Sequence, residues 1–176
     1  MLALGAFVAF VILQRLVELR LSRRNARALQ RLGAREHGRG HFPMLVVLHT
    51  LFPIALVLEV ARLGARPPAS WPVWLAMFIA AQALRYSAIR ALGARWNVRI
   101  WVVPGEPPIR RGPYRWLRHP NYLAVIVELA AAPMIFGAWR TAIAFSALNL
   151  AALAIRIPAE EQALGLRQPA RDPGRG

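Results

Sequence analysis

Two short stretches hold most of the side chains that could do chemistry. The first is Gly112-Pro113-Tyr114-Arg115-Trp116-Leu117-Arg118-His119-Pro120-Asn121-Tyr122. Gly112-Pro113 marks a turn, and His119-Pro120 opens a helix with proline at its first position, where the missing amide hydrogen does no harm. His119 then falls at the N-cap, beside free backbone amides and the positive end of the helix dipole, which favour an anionic ligand group. Tyr122 lies one turn along and can face the same mouth, and Tyr114 and Trp116 offer flat faces to an aromatic ring. The second stretch is Arg156-Ile157-Pro158-Ala159-Glu160-Glu161. If Pro158 kinks a helix rather than ending it, Arg156 and Glu160 are i,i+4 neighbours on one face. A guanidinium can orient an oxyanion, and a carboxylate or imidazole can take a proton. By residue type alone, both stretches read equally well as plain charge flanking a membrane segment.

Several other chemistries are excluded. The 176 residues contain no cysteine, which removes disulfides, thiolate metal sites, cysteine nucleophiles and prenylation. Four histidines with no HExxH leave little for zinc. No GxGxG-like run follows a plausible strand, so a glycine-rich cofactor-binding turn on a parallel sheet is absent.

The elements that must position these residues are membrane helices. The chain is 57% hydrophobic, with mean hydropathy +0.37, yet carries a formal charge of +15, and every basic residue is arginine. Soluble domains are usually about 45–50% apolar. Such a charge invites a nucleic-acid reading, but its placement argues against one, because arginine is sparse in the apolar runs and concentrated between them. Gly40–Leu58 and Pro67–Leu84 contain no Arg, Asp or Glu. A bilayer core about 30 Å thick takes ~20 helical residues. The pattern predicts an all-α transmembrane bundle of five spans, over residues 1–21, 43–63, 71–92, 121–137 and 139–158. It forms one integral-membrane domain, 1–176, with an interfacial loop at 93–120 and a disordered Pro/Gly/Arg-rich tail at 167–176. The start, MLALGAFVAF, lacks a basic n-region and reads as a retained first helix. Counting arginines at the connections sets 18, around both long loops and the tail, against three at Arg62, Arg66 and Arg140. The expected orientation therefore has the N-terminus outside and the long loops and tail cytoplasmic. The six tryptophans fall near expected helix ends, as interfacial anchors would.

Ionisable groups inside a bilayer are functional candidates that face the bundle interior. Here they are Arg15, Glu18, His49, Glu59, Arg85, Glu128 and Arg156. Arg15 and Glu18 can pair on one helical face. Glu59 can reach water or Arg62, and His49 fits a satisfied bundle histidine. Glu128 cannot easily reach water, and its expected partners are Arg85 or Arg15.

GPYRWLRHPNY (112–122), the apolar helix ending at Phe136-Gly137 and RIPAEE (156–161) together resemble the isoprenylcysteine carboxyl methyltransferases. That family sits within a wider set of membrane methyltransferases that includes phospholipid N-methyltransferases. The resemblance spans roughly residues 100–166, whereas the first three helices agree only in being membrane spans. QRLVELRLSRRN (14–25) also looks like a bacterial branch associated with polyketide-derived lipids. The resemblance implies methyl transfer from S-adenosylmethionine to an oxygen of a lipophilic acceptor, a carboxylate or a phenol or enol. By the same resemblance, Gly112, Tyr114, Arg118, His119, Pro120, Tyr122 and Glu161 shape the cofactor pocket, and Arg156 and Glu160 are catalytic. Arg156 would aim the acceptor oxygen, Glu160 or Glu161 would hold the cofactor, and His119 or Glu160 could take a proton. The implied partners are the bilayer and a lipophilic or lipidated substrate, with no nucleic acid. The implied location is a bacterial inner membrane with the site facing the cytoplasm. The family usually continues after the acidic pair with an aromatic helix, but here no aromatic follows Phe145. A lid would then be shorter, or built from 93–111 with Trp96 and Trp101. The competing readings are a phospholipid N-methyltransferase and a non-catalytic membrane scaffold or transporter.

Overall fold

The structure, a computed structural model, describes residues 1–166; the tail expected at 167–176, with Arg167, Arg171 and Arg175, lies outside the described residues. Five helices carry the chain: α1 (Leu2–Arg31), α2 (Phe42–Leu63), α3 (Trp71–Leu92), α4 (Pro120–Ile135) and α5 (Trp139–Ala163). The fold is all-helical apart from a two-stranded antiparallel ribbon, in which β1 (Arg35–His37) pairs with β2 (Ile100–Val102). Four helices, α1, α2, α3 and α5, are long and apolar enough to cross a membrane. The fifth, α4, has 16 residues. At 1.5 Å per residue it is about 24 Å long, shorter than the ~30 Å hydrocarbon core.

Apolar side chains face outward along the long helices, among them Leu13, Val17, Val47, Leu51, Ile79, Ile143 and Leu150. In water such a surface would drive association, whereas in lipid it is the matched solvent. The short α4 is the helix the others enclose, with nine of its 16 residues buried. Its Ala124, Ala131 and Ala132 and the Ala81 and Ala88 of α3 are buried small residues. Small side chains let helix backbones approach closely where no hydrophobic effect drives them together. A cluster of Val11, Leu48, Phe52, Phe78, Leu129 and Phe145 joins all five helices in one apolar layer.

The ribbon fixes which ends lie together. It joins the α1–α2 connection to the α3–α4 connection, with Glu36 opposite Trp101. The end of α1, the start of α2, the end of α3, the start of α4 and the end of α5 therefore share one face of the bundle. At the opposite face the two short connections touch. Gly137 has φ +75°, and a Cβ built on it would lie 1.9 Å from the Arg66 carbonyl oxygen. Glu59 caps α5 there, accepting from Thr141 N at 2.7 Å and Thr141 Oγ1 at 2.6 Å. It engages the helix start rather than Arg62.

Two helix boundaries differ from expectation. α1 runs ten residues beyond the expected end, because one stripe of its arginine-rich extension, Ser22, Asn25 and Leu29, is buried. Asn25 Nδ2 donates to the Trp96 carbonyl at 2.7 Å, and Ser22 Oγ to Asn97 Oδ1 at 2.8 Å. α5 passes through Pro158 to Ala163. The proline costs one backbone bond to Ala154 without stopping the helix, so Arg156 and Glu160 stay one turn apart on one face.

Candidate active site

Both stretches singled out above meet at the ribbon end of the bundle. Pro120 starts α4 and sets the first turn, on which His119 and Tyr122 stand with their rings stacked, centroids 5.4 Å apart and planes 20° apart. α5 supplies the facing side. The Tyr122 hydroxyl donates to a Glu160 carboxylate oxygen and accepts from Arg156 Nε at 2.8 Å. Arg156 Nη2 donates to the Val98 carbonyl at 2.6 Å. His119 Nε2 lies 3.1 Å from Glu161 Oε1. Each acidic residue is thus matched to one residue of the first turn of α4. Arg156 is buried, and its partners are a phenol and a carbonyl; among the described residues no carboxylate pairs with it directly.

These groups line a cavity of about 270 Å³. Tyr114, His119, Tyr122, Arg156 and Glu160 are on its wall. Glu161 stands behind His119. Gly112, Arg118 and Pro120 do not line it: Gly112, with φ +56°, lets the backbone lie against α3, since a Cβ there would sit 2.9 Å from that of Ala91. Arg118 projects outward, its side chain 78% exposed, with Glu161 at 3.9 Å. Burial, and after it the Glu160 carboxylate, push the Tyr114 phenol above its ordinary range, so it stays a protonated donor. Trp96, expected as an interfacial anchor, is instead buried in the cavity wall. Trp139, Trp71 and Trp116 remain exposed at helix ends.

The inner end of the cavity meets the intramembrane charges. Arg15 donates to Glu18 at 2.7 Å and to Glu128 at 2.6 Å. Arg85 pairs with Glu18 at 3.4 Å and also with Glu128. Two guanidiniums and two carboxylates from α1, α3 and α4 thus form a closed, formally neutral quartet. A buried pair offsets its desolvation only when its charges are matched and hydrogen-bonded, as here. His49 donates from Nδ1 to the Leu45 carbonyl at 2.8 Å and also lines the cavity.

Besides Arg85 Nε, three cavity residues carry buried polar atoms without a partner, and of them only Asn149 goes unmarked in the sequence. They are Trp96 Nε1, Asn121 Oδ1 and both amide atoms of Asn149. Leaving such a group unbonded costs about 1–3 kcal/mol. The cavity also reaches the lipid-facing surface between α1 and α2. Leu19, Val46 and Thr50 line it and are themselves exposed. α1 and α2 meet near the far end, where Leu4 and Leu56 share a buried cluster.

Residues 74–165 match the isoprenylcysteine carboxyl methyltransferase (ICMT) family. The match begins in α3, further upstream than the motif resemblance, and so takes in Arg85. An uncharacterized protein YpbQ of Bacillus subtilis (strain 168) is 38% identical over 157 residues, 89% of this chain and 94% of that one. An uncharacterized protein of Haemophilus influenzae is 30% identical over 165 residues, 93% of this chain and 96% of its own. No solved structure matches. The chain belongs to the isoprenylcysteine carboxyl methyltransferase family, whose members are membrane methyltransferases that use S-adenosylmethionine. With its apolar helices, it is an integral membrane protein.

Proposed function

We propose that this protein moves a methyl group from S-adenosylmethionine to an oxygen of a lipophilic acceptor, and that the reaction takes place in the cavity below His119, Tyr122, Arg156 and Glu160. The observation that carries this reading is the setting of Arg156. It is a buried guanidinium with no direct carboxylate partner among the described residues, on the wall of a cavity open to the lipid-facing surface. A cation so placed holds an acceptor oxyanion and aims it. It would repel a protonated amine, which favours an oxygen acceptor over the ethanolamine headgroup of a phospholipid N-methyltransferase.

The residues present fit the cofactor. Asn121 Oδ1 is a buried acceptor and Trp96 Nε1 a buried donor, both on the cavity wall and both unpartnered. A ligand that carries ammonium, carboxylate and hydroxyl groups satisfies both. Glu160 and Glu161 supply negative charge for its ammonium or ribose hydroxyls, and the face of Tyr114 suits its base. When bound, the cofactor supplies an electrophilic methyl on a sulfonium that loses its charge on transfer. The protein's own work is positioning and exclusion of water. Arg156 orients the oxygen, and the Tyr122 hydroxyl locks Arg156 to Glu160. A carboxylate acceptor arrives ionised; a phenol or enol gives its proton to Glu160 or His119.

The arginine distribution supports a cytoplasmic site in a bacterial inner membrane, since 15 arginines among the described residues lie at or near the ribbon-side connections. The opening between α1 and α2 supports lateral arrival of the acceptor from the bilayer. Two measurements test the reading together. S-Adenosylhomocysteine should raise the melting temperature of the detergent-purified protein. Val46→Trp, which fills the opening, should lower methyl transfer to lipophilic acceptors while leaving that shift intact; a protein indifferent to S-adenosylhomocysteine would overturn the proposal.

A further inference from the structure

A second cavity, which shares only Leu92 with the first, lies where α3 leaves the bilayer. α3 has 22 residues, about 33 Å of helix, and Trp71 at its far end is exposed as an interfacial anchor. With a hydrocarbon core of ~30 Å, its last residue, Leu92, comes out at the headgroup layer. There a groove of about 530 Å³ is bounded by Leu92, Ala94 and Arg95 on one side and by residues 107–111 on the other. Gly112 rests on Ala91 next to it. The turn that Gly112 opens exposes Trp116 and Leu117, side chains suited to the boundary between hydrocarbon and headgroups.

Three guanidiniums border the groove, and they are not equivalent. Arg95 is matched: it pairs with Glu106 and donates from Nη1 to the Pro107 carbonyl at 3.0 Å. Arg111 is fixed but not neutralised. Its Nε donates at 2.6 Å to the Ala91 carbonyl, which lies in the last turn of α3 and has no partner within the helix. Among the described residues no carboxylate pairs with Arg111, and Arg110 beside it makes neither an ion pair nor a side-chain hydrogen bond. The end of α3 accounts for Arg111 by itself, since a cation complements a helix C-terminus. It does not account for Arg110. The groove thus holds two uncompensated positive charges beside an apolar side of Leu92, Pro108 and Ile109. A guanidinium fork matches the oxygens of a phosphate group.

We propose that this groove binds an anionic phospholipid, with the phosphodiester held by Arg110 and Arg111 and the glycerol end of the lipid against Leu92 and Ile109. The ligand chemistry is a phosphodiester monoanion. A lipid is favoured over a free phosphate because the groove lies at the level of the lipid phosphates and has an apolar side. A zwitterionic headgroup brings its own ammonium, which two unmatched guanidiniums repel. The site does not depend on the methyl-transfer reading. Residues 107–111 nevertheless run directly into the segment that carries Tyr114 and His119. A lipid bridging Arg110 to the end of α3 therefore steadies the approach to that segment.

Native mass spectrometry of the full chain in detergent counts bound lipids during titration with dioleoylphosphatidylglycerol or dioleoylphosphatidylcholine. Two arginines acting on one phosphate should make the first phosphatidylglycerol bind about tenfold or more tightly than the first phosphatidylcholine. Arg110→Glu has no internal bond to lose, so it should melt like the wild type and bind the two lipids within about twofold of each other. Arg110→Gln, which deletes the charge without reversing it, should cut the preference by about fivefold. Arg23→Glu changes the net charge by the same amount at an exposed position of α1 outside the groove, and should leave the preference unchanged. Glycerophosphoglycerol, the same headgroup without its chains, should not displace the bound lipid. No preference in the wild type, or a preference that survives both Arg110 variants, would overturn the site. An equal loss in Arg23→Glu would assign the preference to the diffuse field of a +15 chain and overturn it as well. Displacement by glycerophosphoglycerol would assign the groove to a soluble phosphodiester and overturn the lipid.

Discussion

Arg156 Nε lies 2.8 Å from the Tyr122 hydroxyl, so a guanidinium on α5 is held by a phenol on the first turn of α4. The same hydroxyl reaches Glu160 one turn further along α5. A single oxygen thus couples the buried Arg156 cation to the carboxylate beside it. Tyr122→Phe removes that oxygen and keeps the ring stacked on His119. Hydrogen bonds to charged groups are worth about 1.5–3 kcal/mol, so turnover should fall roughly ten- to a hundredfold. S-Adenosylhomocysteine binding should stay within a few-fold of wild type. Initial-rate assays beside thermal shifts read both effects, and unchanged turnover would remove Tyr122 from the positioning of Arg156.

The buried quartet should behave as one unit. Glu128→Leu leaves Arg15 and Arg85 sharing only Glu18. Breaking a buried ion pair from one side costs about 3–5 kcal/mol. The variant should therefore melt well below the wild type or fail to accumulate, whereas Arg39→Ala, which removes an exposed partner of Glu36, should be near neutral. Denaturation in detergent followed by circular dichroism makes the comparison.

A glycine pair tests the closure of the far end. Gly137→Ala forces a Cβ into the Arg66 carbonyl at a position with φ +75°, and should destabilise by more than 1 kcal/mol on strain alone. Gly5→Ala, in α1 with nothing within 4 Å of the added carbon, should be neutral or stabilise by about 0.5–1 kcal/mol. Equal melting temperatures for the two variants would contradict the contact between the short connections.

Much of this was readable from residue types. The five helices, the turn before Pro120 and the pairing of Glu128 with Arg15 and Arg85 all follow from apolar run length and from the cost of a lone charge in lipid. The α1 extension was hidden, because seven arginines around 20–39 resemble a loop while the buried stripe of Ser22, Asn25 and Leu29 is only weakly apolar. The ribbon was equally hidden, since three residues are too few for an alternating pattern. Val98 enters the site through its carbonyl, which carries no side-chain signal. Asn149 is a lone amide in an apolar helix, and its only mark is a spacing of seven from Arg156, two turns on one face.

The sidedness expected from the arginine distribution can be measured in intact cells. Single cysteines placed at Arg66 and at Arg115 should label from opposite sides of the membrane with an impermeant maleimide, the Arg66 position from outside. The native chain has no cysteine to interfere. Labelling of both from one side would contradict the expected topology.

The most direct test of the whole account is transfer of a radiolabelled methyl group from S-adenosylmethionine into lipid-soluble product, by wild-type membranes and by membranes carrying Arg156→Ala. Alkylphenol, alkylpyrone and prenylcysteine acceptors are offered side by side. The account predicts label in the organic phase for the wild type with at least one acceptor. For the variant it predicts a loss of about a hundred- to a thousandfold, with its melting-temperature shift by S-adenosylhomocysteine preserved. Label transferred equally well by the variant would contradict it.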